Sequence, residues 1–130
     1  MDFMNAFQTA PELQTSQWFN TKAAITLASL RGRVVLIEAF QMLCPGCVSH
    51  GLPQATRVYE SFPQDQIQVL GLHTVFEHHE ANSAAALKAF LHEYRIRFPV
   101  AIDQASNGAP TPRTMTSYRM RGTPSLILID

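Results

Sequence analysis

Cysteine is scarce in this chain, with two residues in 130, and charge is sparse: ten basic and ten acidic side chains cancel, and no segment gathers one sign. Without a basic run there is no electrostatic footprint for nucleic acid or an anionic membrane surface. No apolar stretch approaches the roughly 20 residues that span a bilayer. The start, Met1-Asp2-Phe3-Met4-Asn5, lacks the basic and apolar segments of a secretory signal. The chain as given therefore reads as cytoplasmic, or as extracytoplasmic if a leader has been removed. A second C-x-x-C is missing, so a structural zinc site would lack two of its four ligands. Repeats and low-complexity tracts are absent as well, and the length suits a single domain with one core.

What is present concentrates between Val34 and Pro53. Val34 to Phe40 is short, β-branched at its start and apolar except for Glu38, which predicts a strand buried on both faces. From Val48 onward, Val48, Leu52, Ala55, Tyr59 and Phe62 recur at spacings of three and four, which predicts a helix with one buried stripe. Cys44-Pro45-Gly46-Cys47 falls at the junction. The first turn of a helix presents unpaired N–H groups and the positive end of the macrodipole, so a thiolate on Cys44 is stabilised there. Cys44 is thus expected to be the nucleophile, with a pKa below the free value of about 8.5, and Cys47 to lie one turn deeper. Pro45 suits the first helical position, where its missing N–H costs nothing. A disulfide closing so small a loop adds little stability and suits cycling.

Along the chain, residues 1–17 read as an N-terminal arm or short helix interrupted by Pro11, and 18–130 as the domain. Trp18 and Phe19 are expected to pack on the core. Ile25 to Leu30 reads as a short strand and turn leading to Gly32. Ile67 to Leu72 is a second strand. Asn82 or Ser83 caps a helix with Leu87, Phe90, Leu91 and Tyr94 on one face. Phe98 to Ile102 is a strand ended by Asp103. Thr111 caps a short helix over Arg113 to Met120 with Met115 and Tyr118 inward, and Leu126 to Ile129 is the last strand. Strands alternating with helices predict an α/β sheet.

The sequence Leu27-Ala28-Ser29-Leu30-Arg31-Gly32-Arg33 before the central strand, Cys44-Pro45-Gly46-Cys47 after it and Gly122-Thr123-Pro124 before the last strand resembles the TlpA-like, redoxin branch of the thioredoxin superfamily over about Trp18 to Asp130. The resemblance implies a thioredoxin-like α/β fold, a central mixed sheet flanked by helices, with the final strand and helix lacking after Asp130. It implies a thiol-disulfide oxidoreductase without a cofactor: Cys44 attacks a substrate disulfide and Cys47 resolves the mixed disulfide. Pro124 matches the family's cis-proline, and Thr123 offers its backbone to an extended protein substrate beside Pro45 and Gly46. An unidentified electron donor or acceptor completes the cycle. Glu38, six residues before Cys44, matches the buried acid of thioredoxins and would deprotonate Cys47. Met42 and Leu43 stand where many relatives carry tryptophan. The open edge at Leu126 to Ile129 allows a homodimer.

Two other readings stay open at this level. Five residues separate Cys47 from Pro53, one more than in these relatives. Pro45-Gly46-Cys47 followed by His50 and Leu52-Pro53 resembles the peroxide-reacting segment of some peroxiredoxins, with Cys47 as nucleophile. Against this, Cys44 occupies that family's threonine position and Thr123-Pro124 replaces its arginine, removing groups that would stabilise the transition state. Alternatively His73, Glu77, His78, His79 and Glu80 could hold zinc or copper in a metal-binding module. His50 reads as a surface residue able to tune Cys47 electrostatically.

Overall fold

A computed structural model describes residues 10–130, so Met1 to Thr9, including Phe3 and Phe7 of the expected arm, lie outside it. Strand β2 (Val34–Phe40) is buried along nearly its whole length. It is flanked by β3 (Ile67–His73), to which it runs parallel, and by β5 (Ser125–Ile129), to which it runs antiparallel. β4 (Val100–Asp103) continues the sheet parallel to β3, and β1 (Thr15–Phe19) closes it antiparallel to β4. The order is β1-β4-β3-β2-β5, a mixed sheet that places the central strand one position from an edge.

The period-two alternation of β2 divides the core. Leu36 and Phe40 face α1 (Leu52–Ser61) and α2 (Ala84–Glu93), packing with Leu52, Ala55, Val69, Leu87, Leu91 and Phe98. Val35 and Ile37 face the other way, onto Leu30, Leu70, Leu72 and Ala101, with Trp18, Ile127 and Ile129 at the margin. Phe19 packs on the first cluster, so the two N-terminal aromatics are shared between the faces.

Several local expectations are corrected. β1 begins at Thr15, inside the stretch read as an arm, and Gln14 exchanges hydrogen bonds with Thr114 through its N–H and carbonyl, both at 3.0 Å. Ile25 to Leu30 is no strand. Thr26 caps a 3₁₀ turn over Leu27–Leu30 by accepting from the Ser29 N–H, a local bond that competes with extended structure. Phe62 ends α1 in an extended, exposed conformation instead of continuing the stripe. Tyr94 is also exposed, its ring tilted by 31° against Phe90 with centroids 4.5 Å apart.

α3 (Arg113–Ser117) is shorter than expected, and Pro112, which cannot cap through its side chain, occupies the cap position. The cap comes from Asp103 at the end of β4, whose carboxylate accepts from the N–H groups of Thr114 at 2.8 Å and Met115 at 2.9 Å. β5 forms the edge next to β2, with Leu126 and Leu128 exposed on it. No helix among the described residues is long and apolar enough to cross a membrane.

Candidate active site

The helix carrying the cysteines starts at Pro45, with four residues between it and the C-terminal end of β2 at Phe40. Pro45 and Gly46 are helical, Cys47–Gly51 forms a π turn, and α1 follows without interruption. The π turn, in which the Leu52 N–H bonds back to the Cys47 carbonyl, absorbs the extra residue between Cys47 and Pro53. Cys44 thus stands at the cap position, its carbonyl accepting from the Val48 N–H at 3.1 Å. The Cys47 N–H donates to Cys44 Sγ at 3.2 Å, placing a backbone donor on the sulfur where the helix N-terminus presents its dipole.

Both cysteines are free thiols. Cys44 retains some surface, whereas Cys47 is fully buried. Burial pushes the Cys47 thiol up to about 12, reinforced by the neighbouring Cys44 sulfur, while hydrogen bonds from the Gln41 backbone and the Thr123 hydroxyl act in the opposite direction. The two sulfurs are therefore unlike in access, and one is held protonated.

The Gly122-Thr123-Pro124 segment lies across from them. The Thr123–Pro124 peptide bond is cis. Cys44 Sγ–H approaches the Thr123 carbonyl at 3.5 Å. The Pro124 ring packs so close to the cysteine helix that a β-carbon added at Gly46 would meet Pro124 Cδ at 3.3 Å. Leu43, beside Cys44, is 57% exposed, giving the rim an apolar point where a tryptophan was absent from the sequence.

Glu38 sits beneath the helix. Only 1% of its surface is exposed, and Oε1 has no hydrogen-bond partner among the described residues. Burial raises its carboxyl to about 8. No hydrogen bond joins Glu38 to Cys47 among the described residues.

Gln41 was not anticipated. Buried between β2 and the cysteines, it accepts from the Phe76 N–H at 3.2 Å and donates to Glu77 at 3.4 Å and to the Thr123 hydroxyl at 3.5 Å. It ties the loop after β3 to the cis-proline segment. A lone glutamine between two motifs carries no signal of this in the sequence.

The His73 to Glu80 group disperses. His73 ends β3, fully buried against Phe40 at 5.3 Å, its ring nitrogens without a hydrogen bond of good geometry among the described residues; burial lowers its pKa to about 4, with the nearby Asn82 side chain acting in the opposite direction. His79 contacts the Pro110 carbonyl at 3.1 Å, and Glu77 takes the Gln41 amide. No three metal-ligating side chains converge among the described residues. His50 is exposed and pairs with Ser49 at 2.7 Å.

This sheet, with a cysteine pair at a helix start facing a cis-proline, agrees with comparison against known proteins. A protein-family model described as the AhpC/TSA family matches residues 7–130. The chain belongs to the AhpC/TSA family. A thioredoxin-like superfamily protein of known crystal structure is 65% identical and superposes with a TM-score of 0.91, covering 93% of this chain and 78% of its own. A thiol-disulfide isomerase from Corynebacterium glutamicum is 49% identical, with a TM-score of 0.88 over 93% of this chain and 79% of that one. The fold of the AhpC/TSA chain is accordingly thioredoxin-like. Among curated proteins, Protein DipZ of Mycobacterium bovis is 34% identical over 128 residues, or 94% of this chain and 17% of DipZ. The chain thus spans about one sixth of the length of the curated relatives it matches.

Proposed function

We propose that this AhpC/TSA-family domain is a thiol-disulfide oxidoreductase that exchanges disulfides with protein substrates through Cys44 and Cys47. The observation that carries the reading is the asymmetry of the two thiols: Cys44 at the helix cap under a backbone donor, Cys47 buried and protonated. In the reducing direction, the Cys44 thiolate attacks one sulfur of a substrate disulfide, and the second substrate sulfur leaves as a thiolate. Cys47 then loses its proton and attacks Cys44 Sγ. The intermolecular S–S bond breaks, the first substrate sulfur departs, and the Cys44–Cys47 disulfide forms. Substrate is reduced by two electrons and the domain oxidised by two.

The timing follows from the electrostatics. The Cys44 sulfur contributes to holding Cys47 protonated, both as a hydrogen-bond neighbour and through charge. Once Cys44 is tied up in a mixed disulfide those contributions fall away. Glu38, raised to about 8, is matched to accept the proton near neutral pH. Thr123 and Pro124 face Cys44 and supply an extended backbone to the substrate, with Pro45, Gly46 and the exposed Leu43 forming the rim.

The peroxidase alternative requires Cys47 as first nucleophile. A fully buried thiol pushed up to about 12 is poorly suited to that role. The test is a disulfide-linked model peptide mixed with the Cys47→Ser variant. A stable mixed disulfide on Cys44, absent with Cys44→Ser, is the expected result; failure to trap it, together with consumption of hydrogen peroxide by Cys44→Ser, would replace the reading with the peroxidase one.

A further inference from the structure

The oddity of spacing and the unpartnered carboxyl meet at one residue. Gly51 is the last residue of the π turn, buried, and lies over Glu38. A β-carbon built on its backbone would fall well inside van der Waals contact of Glu38 Oε1, 3.1 Å from the carboxyl carbon and 3.0 Å from Pro124 Cβ. Gly51 has an ordinary helical backbone, φ −62° and ψ −56°, so conformational freedom is not what glycine supplies. It supplies closeness. On the other side, β-register places Glu38 opposite Leu126 and Ala39 opposite Ser125, directly after Pro124. The carboxyl is therefore confined between the sheet, the cis-proline and a helix backbone stripped of its side chain.

Resting on the thiol-exchange reading above, we propose that Gly51 is a positioning residue for Glu38: its missing side chain lets the carboxyl press against the π turn beneath the cysteines, the place from which it takes the Cys47 proton. Neither role follows from the other. A Gly51 needed only for helix packing would leave the behaviour of Glu38 unchanged when the helix survives replacement.

Gly51→Ala provides the test, because the added methyl takes the place of the end of the Glu38 side chain, which must leave its seat, while Pro124 Cβ stands 3.0 Å away. Release of the second thiol from a preformed mixed disulfide with a model peptide is followed against pH in the wild type, Gly51→Ala, Glu38→Gln and the double variant. Gly51→Ala is expected to slow this resolution about tenfold and to move its inflection downward by about one pH unit. Mixed-disulfide formation, measured in a Cys47→Ser background, should stay within about twofold, and Gly51→Ala should have little further effect once Glu38 is glutamine. An unchanged inflection in folded Gly51→Ala, or an equal slowing in both Glu38 and Glu38→Gln backgrounds, overturns the proposal. If Gly51→Ala does not fold, Glu38→Ala/Gly51→Ala decides: its folding supports the contact, its failure overturns it. A wild type that never releases the second thiol overturns the exchange reading itself, and the positioning role with it.

Discussion

Glu38, inside β2, and Asp103, at the end of β4, are carboxylates buried in one sheet, and their surroundings differ in kind. Asp103 accepts from the Thr74 hydroxyl at 3.0 Å and from the Thr114 and Met115 N–H groups, so that its raised pKa, caused by burial, is opposed by every bond it makes. Glu38 Oε1 accepts nothing among the described residues, and burial acts unopposed. A carboxylate that caps a helix and joins β4 to α3 is built for stability. One whose Oε1 has no partner weakens the fold, and burial raises its proton affinity. Hydrogen bonds thus satisfy the buried acid where β4 meets α3, and leave it unsatisfied beneath the helix that carries the cysteines.

The largest effect expected is at the nucleophile. Cys44→Ser should lower disulfide exchange with a model peptide by at least about three orders of magnitude while the unfolding midpoint stays close to wild type. This sets the scale for the two acids.

Glu38→Gln should then separate rate from stability. Its carboxyl is raised from 4.5 to about 8 on folding, so the folded state holds a proton that the unfolded state has released. Wild-type stability consequently falls as pH rises from about 4.5 to about 8 and levels off above, a dependence the variant lacks. By pH 7 the variant should be more stable by roughly 3 kcal/mol, yet resolve mixed disulfides about a hundredfold more slowly. Urea unfolding at several pH values, with thiol release from a trapped complex, reads both.

Asp103→Asn should show the reverse. Its amide turns a donor toward groups that themselves donate, costing roughly 2 kcal/mol in urea unfolding, with exchange per folded molecule unaltered. A loss of exchange in that variant at full folding would erase the distinction between the acids.

The smallest effect concerns His73, buried without a hydrogen bond of good geometry among the described residues and lowered by burial to about 4. Because the unfolded histidine, at 6.5, takes up its proton first, stability falls as pH drops from 6.5 toward 4. His73→Phe should remove that part of the acid sensitivity and be more stable by roughly 1 to 2 kcal/mol at pH 5. Acid titration followed by circular dichroism checks it.

The sequence made the central strand, the cysteine helix and the cis-proline segment legible because each rests on a short pattern: an apolar run, a C-x-x-C at a helix start, a Gly-Thr-Pro before a strand. Glu38 was visible as the lone charge in that run, and the surplus residue before Pro53 as an irregularity. Less visible was its form, since five residues can be taken up as a kink, a later helix start or a π turn, and only packing against β2 selects among them. Asp103 read as a strand terminator because its hydrogen-bond partners lie ten or more residues away, on α3 and at Thr74 after β3. Gln41 and Gly51 carry meaning only through what they touch. His73 to Glu80 looked like a cluster in sequence and is not one in space, since β3 runs one residue further and takes His73 into the core.

The most direct test of the account is competitive alkylation of the fully reduced protein at neutral pH, with peptide mass spectrometry locating the label. Cys44 is expected to be modified first and Cys47 to stay unlabelled until strongly alkaline pH, in keeping with a thiol pushed up to about 12. Preferential labelling of Cys47 would contradict the assignment of nucleophile and resolving thiol, and with it the role given to Glu38.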